Sequence, residues 1–159
     1  MKLNQFGWDK KPRTVLRSIK IGDIFAMQTG AGTYAFGRIM TKVLLGHVGE
    51  VFDLIAAEPV LTAEALTHAH RIGKPVVLDS YTLFDKKLAG DWRIIAHQEG
   101  YEPSDYHDVF FTSGIANSCK KVDIFGVETP ISQTEAAKLP DFSPMEDWDI
   151  KEILAPYLK

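Results

Sequence analysis

A chain of 159 residues, 45% hydrophobic and 25% charged, fits one globular domain able to bury a core without a covalent staple. The single cysteine, Cys119, excludes an internal disulfide and a cysteine-built zinc site, and it suits a reducing compartment. No apolar stretch approaches the roughly 20 residues that span a bilayer, and Met1 to Lys20 lacks the apolar run of a signal peptide, so a cytoplasmic protein away from membranes is expected.

The net charge of −3 is uneven: residues 1–20 carry +5, residues 21–127 carry −4, and residues 128–159 carry −4. This divides the chain into a basic N-terminal arm, 1–18, and one domain, 19–159. The first element is expected at Ile19 to Gln28, with Gly22-Asp23 as a turn or bulge. The glycines of Gly30-Ala31-Gly32 tolerate positive φ, and the aromatic and β-branched run Thr33 to Thr41 completes a hairpin. Gly46 to Gly49 punctuates the chain, and Glu50 to Ala57 reads as a third strand.

A helix is expected from Pro59 to Arg71, ended by Gly73, and then a strand from Pro75 to Ser80. Tyr81 to Ala89 reads as a turn and a short helix. Asp91 to Gln98 alternates as a strand, with Trp92, Ile94 and Ala96 on one face and Arg93, Ile95 and His97 on the other. A turn-rich loop follows over Gly100 to Asp105, then strands at His107 to Thr112 and Lys121 to Val127. Ser132 and Glu135 form a capping box for a short helix to Lys138. Ser143-Pro144-Met145-Glu146 caps a final helix to Leu158 that buries Trp148, Ile153, Leu154 and Tyr157. Strands first and helices last predict an α+β fold with a mostly antiparallel, SH3-like or partly closed sheet and two to three helices.

Chemistry is sparse. Gly30-Ala31-Gly32 lacks the following helix that a dinucleotide loop needs. His47, His68, His70, His97 and His107 include no i, i+4 pair, and Cys119 has no base in its own motif. No catalytic residue, cofactor or metal is therefore expected. The acidic and aromatic stretch Tyr101, Glu102, Asp105, Tyr106 and Asp108, with Glu146, Asp147 and Asp149 behind it, suits a protein-binding surface. Two other readings use a hydrolase site near 99–108, built on Glu102 and His107, or a nucleic-acid contact through Lys10, Lys11, Arg13, Arg17 and Lys20. The acidic body argues against nucleic acid as a partner.

Three segments carry a resemblance: Ile19-Lys20-Ile21-Gly22-Asp23-Ile24-Phe25 with Gly32-Thr33-Tyr34-Ala35-Phe36-Gly37-Arg38, then Leu88 to His97 around Gly90-Asp91-Trp92, then Phe110-Phe111 after Pro103. In order and spacing they resemble the immunity protein 26 family of bacterial polymorphic-toxin systems, with Ala96 standing where the family more usually has glycine. The resemblance implies a protein that binds and neutralises a toxin domain. An acidic inhibitor suits a nuclease toxin, whose surface is basic. The motif residues look structural and leave the toxin-facing ones unassigned.

Overall fold

A computed structural model describes residues 1–9, 16–30, 32–84 and 90–157. The strands are β1 (Leu3–Gln5), β2 (Asp23–Gly30), β3 (Thr33–Val43), β4 (Gly46–Ala56), β5 (Arg71–Leu78), β6 (Trp92–Gln98), β7 (Phe111–Ser113), β8 (Lys120–Val122) and β9 (Glu128–Pro130). The helices are α1 (Ala63–His68), α2 (Ser80–Phe84), α3 (Gln133–Ala136) and α4 (Asp147–Leu154). Six strands form one sheet in the order β1-β6-β2-β3-β4-β5, with every pair antiparallel, and β7-β8-β9 form a second. The α+β, antiparallel expectation holds. The large sheet is open rather than partly closed, with β1 and β5 at its margins.

The large sheet is covered on both faces, so its strands read as nearly continuous apolar runs. On one face Phe25, Met27, Ala35, Ile39, Val51, Trp92 and Ile94 pack beneath Leu83 and Phe84 of α2 and Ile150 and Leu154 of α4. The opposite face carries two separate apolar clusters. Ile24, Ala26, Phe36, Phe52 and Ile95 lie with Leu61 and Leu66. Met40, Val43, Val48 and Val77 lie with Val109, Phe111, Val122 and Ile124, which come from the small sheet and its approaches.

Several boundaries differ from the pattern reading. The first element is Leu3–Gln5, too short for alternation to reveal, and it pairs with Gln98, His97 and Ala96. The Gly46 to Gly49 punctuation lies inside β4; a Cβ at Gly46 would sit 2.3 Å from the Leu78 carbonyl oxygen, so these glycines admit a neighbouring strand. Helix α1 covers only Ala63–His68, capped by the Thr62 hydroxyl. It stops early because Asp53 and His70 exchange backbone and side-chain hydrogen bonds that draw the chain into β5. Gly73, at φ 63, therefore does not end a helix; it lies in an irregular stretch of β5. The strand expected at His107 to Thr112 is the shorter Phe111–Ser113, and Lys121 to Val127 divides into β8 and the turn before β9. Of Tyr81 to Ala89, the first part belongs to α2 and residues 85–89 lie outside the described ones.

In β6, a register shift opposite Ile24 and Phe25 breaks the alternation, so Ala96 joins Ile95 in one cluster instead of following Ile94. Ser132 caps α3 as expected. Ser143 does not cap α4: Met145 exchanges backbone hydrogen bonds with Val77 and Asp79, which holds the chain extended alongside β5. The helix starts only after Glu146, whose N–H donates to Asp149. Its buried side is Ile150 and Leu154, while Trp148, Ile153 and Tyr157 are exposed.

His47 is buried in β4, with its Nδ1 2.7 Å from Ser80 Oγ. Burial, and secondarily the charge of Lys42, push its pKa down to about 4. The unfolded chain binds this proton near pH 6.5 and the folded one does not. Stability should therefore be intact above about pH 6.5 and fall steadily as the pH drops toward 4. Urea unfolding of the wild type and His47→Asn across that window checks this: the variant should lose most of the slope, and equal slopes would refute it.

Candidate functional site

Along β3 the residues Phe36, Arg38 and Met40 share a face, as do Phe52, Glu50 and Val48 along β4. The outer members of each set belong to the two apolar clusters, so Arg38 and Glu50 fall between them. They are also direct cross-strand partners. The Glu50 side chain is only 3% exposed and lies between two guanidinium groups. Arg38 Nε donates to Glu50 Oε1 at 2.8 Å, joined by Arg38 Nη2, and Arg71 Nε donates to Oε2 at 2.7 Å. Arg38 is stacked between rings, with its guanidinium carbon 4.0 Å from the Tyr101 centroid and 5.2 Å from that of Phe52. Its Nη1 donates to Gln98 Oε1 at 2.8 Å.

Arg71 spends its remaining donors on the loop after β6. Nη1 reaches the Asp105 carbonyl at 2.9 Å and Nη2 reaches that of Ser104 at 3.0 Å. Asp105 is held at φ 52, in the left-handed region that aspartate tolerates better than most residues. Tyr101 OH donates to Glu50 Oε1 at 3.3 Å, and burial together with the Glu50 charge pushes the phenol pKa up to about 12. A groove of about 470 Å³ runs over this cluster, lined by Arg38, Glu50, Phe52, Arg71, Ser104 and Asp105 among others. Chemically the cluster is a clamp: it fixes the 99–105 loop to the sheet with charge-assisted hydrogen bonds.

The clamp residues Arg38, Glu50 and Arg71 were not singled out in the sequence. The signal available was a charge set within an apolar strand, in Phe36-Gly37-Arg38-Ile39-Met40 and Val48-Gly49-Glu50-Val51-Phe52.

Of the eight residues expected to face a partner, Tyr101 is turned into the clamp and Tyr106 is half-buried, while Glu102, Asp105 and Asp108 are exposed. Glu146 and Asp149 are exposed too, but belong to the start of α4. Asp147 accepts from Trp92 Nε1 at 2.6 Å and pairs with Lys151 at 2.8 Å. Burial alone would lower the Lys151 pKa, but its bonds to Asp147 and Asp91 outweigh this and raise it. Trp92 starts β6 and the 99–108 loop follows its end, so the two acidic groups lie at opposite ends of a strand about 20 Å long. They are two surfaces, not one. Glu102 and His107 are both exposed. Lys10, Lys11 and Arg13 lie outside the described residues, and Arg17 and Lys20 are exposed.

The first two motif segments meet in the adjacent strands β6, β2 and β3, while Phe110-Phe111 leads into β7 of the small sheet. Gly22, at φ 90, brings the backbone so close to β6 that a Cβ would sit 2.7 Å from the Gln98 carbonyl oxygen. Asp23 is buried and accepts from the Lys20 N–H at 2.8 Å, with its other oxygen 2.8 Å from His97 Nδ1. Trp92 packs on Phe25 with centroids 5.2 Å apart. The immunity protein 26 family matches residues 20–123, two-thirds of the chain. The chain belongs to the immunity protein 26 family. The region matched to immunity protein 26 runs from the turn before β2 through β8 and spans the clamp and the Gly22-Asp23 turn. No curated protein and no solved structure matches the chain. Among the described residues, no helix is long and apolar enough to cross a membrane.

Proposed function

We propose that this chain neutralises a cognate bacterial toxin domain in the cytoplasm, by covering its active or substrate-binding surface and without chemistry of its own. The family match over residues 20–123 carries this reading. The toxin best suited to it is a nuclease, because a basic phosphate-binding surface complements the acidic loop. Residues 99–108 contain Glu99, Glu102, Asp105 and Asp108 and no lysine or arginine. Co-expression with the cognate toxin domain should restore growth to cells that the toxin kills, and the two proteins should purify together. Continued killing, with no complex recovered, would defeat the proposal.

Exposed acids at the edge of an interface act mainly on encounter. Replacing both Glu102 and Asp108, exposed and free of the Asp105 backbone constraint, with lysine should slow association by about tenfold or more at low salt. The salt dependence of association should flatten, while the melting temperature stays close to wild type. Stopped-flow mixing with the inactivated toxin domain measures this; an unaltered association rate would remove the loop from the contact. In this reading Glu146, Asp147 and Asp149 add to the long-range field while organising α4.

A further inference from the structure

Beside the acidic loop stands an aromatic ledge. The Tyr106 ring lies 4.4 Å from that of His107 and meets Phe125 edge-on at 5.1 Å. Phe125 is 49% exposed and Val127 is 60% exposed, although the intervening chemistry favours burial of both. Their exposure is imposed by the turn between β8 and β9. Asp123 Oδ1 accepts the N–H groups of Phe125 and Val127, each at 2.9 Å. Asp123 also accepts from Gly126 through its carbonyl and donates to Val127 through its N–H. Gly126 sits at φ 83, and Ile124 is fully buried, its carbonyl bonded by the Thr41 hydroxyl. The turn therefore holds Phe125 outward with little freedom left to lose on binding.

We infer that Phe125, backed by Tyr106, is the anchor through which the chain grips its partner, and that the partner offers an apolar recess bordered by lysine or arginine. Charge complementarity sets the second half of this statement: Asp105 and Asp108 flank the ledge in the chain, and Arg71 fixes the backbone at Ser104 and Asp105. A rigid aromatic at the centre and acids at the rim is the arrangement that concentrates binding energy in few residues. The inference rests on the toxin reading above.

The test follows dissociation of the inactivated toxin domain from wild type, Phe125→Ala, Val127→Asp and Trp148→Ala by biolayer interferometry, with melting curves for each. Phe125→Ala should speed dissociation at least about thirtyfold, and Val127→Asp by a similar factor, with melting unchanged. Trp148, on α4, is more exposed still at 76%, and its loss should change dissociation less than about threefold. Wild-type dissociation rates in both Phe125→Ala and Val127→Asp, or a larger effect from Trp148→Ala, would overturn the ledge alone. Failure of the wild type to bind would overturn the toxin reading itself.

Discussion

Glu50→Ala is expected to cost about 3–5 kcal/mol of folding stability, the largest loss from any single polar substitution in the large sheet. The carboxylate is almost wholly buried and neutralises Arg38 and Arg71, whose side chains are 15% and 17% exposed. Removing it leaves two desolvated cations side by side between two apolar clusters. Glu50→Gln should recover only part of the loss, because the shape returns and the charge does not. Replacing Arg38, Glu50 and Arg71 together with apolar residues should be less damaging than Glu50→Ala, since no charge is then stranded. Urea denaturation followed by tryptophan fluorescence reads all three. A loss below about 1 kcal/mol for Glu50→Ala would mean that the clamp is far wetter than its geometry indicates. The 99–105 loop should loosen with it, because Tyr101 and Arg71 both reach the loop from this carboxylate.

The second large effect concerns one methyl group. Gly37→Ala would place a Cβ 2.2 Å from Phe25 Cζ and 2.3 Å from the Glu50 carbonyl oxygen. The ring has little room to turn, since Phe25 is fully buried with Phe84 and Trp92 at 5.8 and 5.2 Å. The carbonyl belongs to β4, directly beside β3. Relief requires the two strands to separate at the clamp itself. We expect a loss near 3 kcal/mol, the upper end for overpacking, seen as a melting temperature roughly 5–10 °C lower. A shift below about 2 °C would show that the sheet yields more easily than its packing suggests.

What the sequence disclosed was local. The β2–β3 hairpin followed from Gly30 and Gly32 beside an aromatic strand, and the Ser132 cap from a spacing of three residues. The Gly22-Asp23 and Trp92 motifs carried the family, and with it the broad function. What stayed hidden depended on distant partners. Arg38 and Glu50 are ordinary charges until β3 and β4 set them opposite one another and Arg71 arrives from across the next strand. Trp148 looked like core because helical spacing does not say which face meets the sheet; Leu154 is buried as expected, and Ile150 joins it in place of Trp148. Tyr101 looked like an outward contact, yet its ring is committed to Arg38. Phe125 was invisible as an anchor because its exposure comes from a turn geometry centred on Asp123, not from its neighbours in the chain.

Both margins of the large sheet are poor templates for an added strand. On one side β1 offers only three residues. On the other, the first half of β5 is interrupted by Gly73-Lys74-Pro75, where the pairing register shifts, and its second half is already occupied by the segment around Met145. A toxin that approached by lending or borrowing backbone hydrogen bonds would find no continuous ladder to extend. What the large sheet presents is side chains on its turns and loops, where substitution leaves the register beneath untouched.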